Sequence, residues 1–170
     1  MGAIILLRIV HIGSGVFWVG GALLMNFVVG PAIGSVQPEG LRVMQALNRR
    51  HYFDVLLGAG LLTILAGLDL MRRDSAGFQP AWFHSPMGIG ISTGMIAAIV
   101  AFTISLLLIK PAMKRLAAAG GEMAQAASPE ARAAIGPRVE AAQARLIALG
   151  TVGSLFLIIA VLAMATARYL

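Results

Sequence analysis

Four long apolar stretches divide the 170-residue chain. The first runs from Ala3 to about Gly30, the second from about Tyr52 to Met71, the third from Pro86 to about Lys110 and the fourth from about Ala142 to Ala167. Each matches or exceeds the roughly 20 apolar residues that an α-helix needs to cross a bilayer. None shows the strict alternation of a membrane β-strand, which argues against a transmembrane barrel. The pattern predicts an all-α fold in a single integral membrane domain: a four-helix transmembrane bundle with a short cytoplasmic helical excursion between the third and fourth helices.

The ends of the stretches carry local signals. Ser85-Pro86 reads as a helix start, with a good N-cap followed by proline at the first helical position. Gly30-Pro31 reads as the close of the first helix. Pro111 kinks the third, which continues until Gly120-Gly121 stops it. Between residues 120 and 140, Ser128-Pro129-Glu130 and Gly136-Pro137 look like two further helix starts, in a segment with too few large apolar residues to form a domain of its own. An offset of 80 residues lays Gly30-Pro31-Ala32 on Lys110-Pro111-Ala112, a weak sign of two repeated hairpins.

Composition fits this reading. The chain is 59% hydrophobic and 12% charged, about half the charged fraction of a soluble domain. Its net charge of +6 belongs to basic residues flanking membrane spans and facing anionic lipid, rather than to a nucleic-acid partner. Arg42, Arg49, Arg50, Lys110, Lys114, Arg115, Arg132, Arg138 and Arg145 fall on one side of the membrane, and Arg8, Arg72, Arg73 and Arg168 on the other. The positive-inside rule puts the larger group in the cytoplasm and both termini outside, with Phe78, Trp82 and Phe83 in the outer interfacial belt. No basic residue precedes the first apolar run and no small-residue cleavage site follows it, so the first helix is expected to be retained.

Chemistry narrows to a few polar groups. The chain has no cysteine, which excludes disulfides, thiolate metal sites, iron–sulfur clusters and thioether-linked haem. His11 is the one histidine inside a span, and an ionisable group there is by default a functional candidate. Residues 11, 14, 18, 21 and 25 share one helical face as His, Ser, Trp, Gly and Met. Ser14 and Gly21 on that face either leave room for a flat cofactor against Trp18 or allow tight helix packing. His84 lies on the same outer side and is the candidate second axial ligand for a haem b held by His11. A copper ion held by His11, His84 and a thioether such as Met87 or Met1 is the alternative. Arg8 and Asp69, at similar outer depth, are expected to pair within the bundle. His51 and Asp54 share a face at the inner start of the second span, where a solvated helix start and a proton-entry or headgroup site are the two readings.

Leu7-Arg8-Ile9-Val10-His11, then Phe17-Trp18-Val19-Gly20-Gly21 and Gly30-Pro31, resemble the first helix of a broad group of small bacterial inner-membrane proteins that includes the copper-resistance D type and the HemJ type of protoporphyrinogen oxidase. The resemblance covers about 30 residues closely and the four-helix layout loosely. It implies location in a bacterial inner membrane and a haem b or metal ligand at His11, with membrane redox chemistry as the activity. In the HemJ type a lysine on the third helix accompanies the histidine; here no lysine precedes Lys110 at the inner end of that span. Copper transport or resistance, and a cofactor-free structural subunit of a larger membrane complex, are the alternatives. Expected partners are membrane lipid, a redox partner or a second copy of the chain.

Overall fold

The computed structural model describes residues 2–36 and 39–170, and at Leu41 the backbone alone. Six helices and no strand occur among these residues. Helix α1 is Gly2–Ser35, α2 is Glu39–Arg49, α3 is Tyr52–Asp74, α4 is the single turn Pro80–Phe83, α5 is Pro86–Gln125 and α6 is Pro129–Thr166. Helices α1, α3, α5 and α6 are each long and apolar enough to cross a membrane. The chain is an all-α membrane bundle.

The bundle is two antiparallel hairpins, α1 with α3 and α5 with α6. Each is tightly packed within itself, and contact between the two is sparser. Small residues set the internal packing. A Cβ at Gly60 would lie 2.8 Å from the Trp18 ring, and one at Gly67 would lie 2.7 Å from the His11 ring, so glycine is what lets α1 close on α3 at these points. Gly90 and Gly94 play the same part in α5, against Ala167 just past the end of α6 and Met164 within it. A core of Trp18, Leu56, Ala97, Ala98, Ala101, Leu157 and Ala160 joins the hairpins, with Trp18 edge-on to Phe102 at 6.1 Å.

The proline expected to end a helix does not end it, and the one expected to be passed is passed by the same means. Gly30-Pro31 does not close α1, which runs on to Ser35 through a π turn at Met25–Val29. Likewise α5 passes Pro111 after a π turn at Ser105–Ile109. In each case the residue before the proline donates its N–H five residues back, Gly30 to Met25 and Lys110 to Ser105. Proline has no N–H and its ring collides with the carbonyl four residues earlier. A one-residue slip into π geometry lets the helix absorb this locally. The two π turns stand 80 residues apart, the same offset as the sequence match, so the repeat marks one device in the first helix of each hairpin.

The excursion is also reorganised. Ser128 caps α6, its hydroxyl accepting from the Ala131 N–H at 3.2 Å. Gly120-Gly121 does not end α5, and Gly136-Pro137 starts no new helix but lies within α6. The segment is therefore an extension of the second hairpin, held by Leu116, Ala119 and Val139 with Met123 and Ile135 packed around them. Ser85 caps the start of α5 as expected, accepting from the Gly88 N–H at 3.0 Å. Helix α2, in the first loop, went unforeseen. It carries Glu39 in its first turn and Arg49 in its last, favourable placements for the helix dipole.

Candidate functional site

The two ends of the bundle differ in how their polar groups are used. At the end holding His11, nearly everything is matched. The His11 Nδ1–H donates to the Thr63 carbonyl oxygen at 2.8 Å; a carbonyl can only accept, so Nδ1 carries a proton and Nε2 is the ring nitrogen left free of this bond. The Ser14 and Thr63 hydroxyls bond each other at 2.8 Å. Gly21 meets Leu56, and its carbonyl accepts from the Tyr52 hydroxyl at 2.9 Å. The space that Ser14 and Gly21 leave on α1 is thus filled by α3 side chains, and the 11-14-18-21 face is the seam of the first hairpin. Trp18 is buried in that seam at 3% exposure.

One sequence-predicted pairing is rearranged here. Asp69 is held not by Arg8 but by its own helix: Arg72 Nη2 lies 2.9 Å from Oδ1 and Arg73 Nε 3.0 Å from Oδ2. Arg8 is exposed. Helix geometry explains the exchange, since i,i+3 and i,i+4 partners are already within reach. His84 is exposed at the end of α4. Met95 of α5 reaches the same Gly67 as His11, its methyl 3.4 Å from where a Cβ would stand. One turn earlier, the Ser92 hydroxyl is buried with no hydrogen-bond partner among the described residues. No three His, Cys, Asp or Glu side chains gather in a metal-binding group among the described residues.

The other end is hollow. A cavity of about 360 Å³ opens between the hairpins, with walls from α1, α2, α3, α5 and α6. Both π turns reach it, through Met25 and Asn26 on α1 and Ser105 and Ile109 on α5. Helix α2 lies across it with Gly40 and Met44, and Trp18 and Leu157 line it toward the bundle core. The lining is apolar apart from a few groups. Asn26, Gln143 and Ser154 all line it, and none of their side chains makes a hydrogen bond among the described residues. Ser154 is only 3% exposed, and Asn26 lies so close to Gly150 that a Cβ there would strike its amide oxygen. Asn26 and Gln143 are half-buried and open to the cavity.

Lys110 stands at the edge of this cavity and reaches across to α3, its Nζ donating to Asp54 Oδ1 at 2.8 Å. His51 Nδ1 lies 3.5 Å from the other Asp54 oxygen. His51 itself occupies the turn between α2 and α3 with φ 54°, a left-handed conformation uncommon for a residue with a side chain. The His51–Asp54 pair read from the sequence thus gains a third member from α5. Sequence reasoning missed the cavity because its polar lining comes one residue at a time from distant segments. The one available signal was the repeated proline step, since π turns concentrate at functional sites.

Comparison with family models, with curated proteins and with solved structures finds no match for this chain.

Proposed function

We propose that this protein is a membrane-embedded binding protein, and that the cavity between its hairpins takes a lipid-soluble molecule with an uncharged, hydrogen-bonding head. The observation that carries this reading is the set of unpartnered side chains, Asn26, Gln143 and Ser154, in an otherwise apolar cavity. A concave, mostly apolar site with a few convergent polar groups is the usual form of a small-molecule site. Two amides and a hydroxyl offer both donors and acceptors, which suits carbonyl or hydroxyl oxygens such as those of a quinone, an ester or a long-chain alcohol. Lys110, already paired with Asp54, lends no free charge for an anionic head. The test is organic extraction of the purified protein followed by mass spectrometry. A lipid-soluble species near one per chain is expected, and it should be lost from the double variant Asn26→Leu, Gln143→Leu. Equal amounts of every membrane lipid in both proteins would contradict the reading.

A second reading is a haem b or a copper ion bound through His11 in membrane redox chemistry. It is favoured by the Nδ1–H bond to the Thr63 carbonyl, which fixes the tautomer and leaves Nε2 to serve as a ligand. Met95 beside Gly67 supplies a soft thioether on the same side, and His84 is the second histidine toward that end of the bundle. Such a group would supply one-electron transfer. Visible spectra and metal analysis of protein from haem- and copper-replete cells test it: a Soret band or bound copper, lost in His11→Ala and kept in His51→Ala, supports it, and the absence of both ends it.

For location, we propose a bacterial inner membrane with both termini outside, from the nine-to-four division of Lys and Arg. A C-terminal alkaline phosphatase fusion should be active; activity only from a cytoplasmic reporter would reverse the orientation.

A further inference from the structure

Beyond the apolar cavity, the extension of the second hairpin holds a second concave site of different character. Its volume is about 340 Å³, and its lining is Arg115, Arg138 and Arg145 over alanines of α5 and α6. Arg138 and Arg145 are seven residues, two helical turns, apart on one face of α6, and Arg115 stands on the facing helix. No carboxylate lines the groove. Arg138 Nη1 is held at 2.8 Å by Glu122. Arg115 and Arg145 have no ion-pair partner among the described residues. The groove lies just past the last apolar turns of the hairpin, at the basic end of the bundle.

Basic residues flanking a span are ordinarily dispersed and solvated. Here three guanidinium groups converge on a single hollow, where each can offer paired N–H donors to phosphate oxygens. The alanine floor gives an apolar surface beneath them. We infer that this groove is a phosphate-binding site, which holds either the headgroup of an anionic phospholipid or a soluble phosphate compound. Basic pockets of this kind between helices at the cytoplasmic surface are the usual seat of anionic headgroups.

The experiment is native mass spectrometry of the full chain in detergent, with phosphatidylglycerol or phosphatidylcholine added, and separately with inorganic pyrophosphate. The test variant is Arg115→Gln, Arg145→Gln. The control is Arg42→Gln, Arg50→Gln, which removes the same charge from the same end. All four residues are exposed, so the helix content by circular dichroism should be unchanged. The expected result is a bound phosphatidylglycerol that the test variant retains about tenfold less well, as expected for lost charge-assisted hydrogen bonds, with the control unaffected. Lipid that resists millimolar pyrophosphate assigns the groove to the headgroup; pyrophosphate binding with the same arginine dependence assigns it to a soluble phosphate. Equal losses in test and control, or no loss in either, would overturn the site.

Discussion

The seam around His11 and the hollow around Asn26 are built from the same two hairpins, yet they treat polar groups in opposite ways. In the seam, glycines bring α1 onto α3 until His11 bonds the Thr63 carbonyl and the Ser14 and Thr63 hydroxyls bond each other. In the hollow, each hairpin's first helix passes through a π turn before a proline, and Asn26, Gln143 and Ser154 face an open space without partners. Close packing uses up hydrogen-bonding capacity, and loosened packing leaves it for a ligand. A polar residue in a membrane helix therefore points to function less by its type than by whether its neighbours have already matched it.

Overfilling the two regions should give the largest contrast. Gly60→Leu places its Cβ 2.8 Å from the Trp18 ring and should destabilise the bundle by about 1–3 kcal/mol. Gly34→Leu, where no atom of the described residues lies within 4 Å of the added Cβ, should leave the unfolding midpoint in detergent nearly unchanged. Equal losses would show that the two ends are packed alike.

Removing a matched polar group comes next. His11→Ala strips the Thr63 carbonyl of its bond and leaves a void beside Gly67, a loss of about 1–3 kcal/mol. Ser154→Ala removes a hydroxyl that has no partner among the described residues and should shift stability by less than about 0.5 kcal/mol. A Ser154→Ala loss as large as that of His11→Ala would mean that the hollow is matched after all.

The smallest effect is expected at the cavity's edge. Asp54→Asn breaks a bond to Lys110 between two side chains that are about half exposed, so solvent screening should hold the stability loss under about 1 kcal/mol. Freed Lys110 should then sharpen the comparison in another way, by shifting ligand preference toward anionic heads in the extraction assay.

The four spans were legible in the sequence because hydropathy over some 20 residues leaves few alternatives, and the Ser85 and Ser128 caps because their side chains act on the local backbone. The continuation past Pro31 was not, since proline signals a helix end unless π geometry accommodates it; the continuation past Pro111 was, but not the π turn that allows it. His11 was found as a residue, but its partner was a backbone carbonyl, which no side-chain pattern reveals. Arg8 and Asp69 matched in depth, yet Arg72 and Arg73 were nearer along the same helix. The cavity was least legible of all, since it depends on how two hairpins diverge.

Trp18 reports on that cavity directly, because it lines it and is one of two tryptophans in the chain. With Trp82→Phe making it the sole emitter, the protein in phosphatidylcholine nanodiscs can be titrated with a brominated long-chain alcohol. The account predicts saturable quenching at about one ligand per chain, with affinity falling about tenfold when Asn26→Leu and Ser154→Ala remove two hydrogen bonds of roughly 0.5–1.5 kcal/mol each. Quenching that rises in proportion to the brominated fraction, without saturation and unchanged by those substitutions, would mean that Trp18 meets only bulk lipid and that the cavity holds no specific ligand.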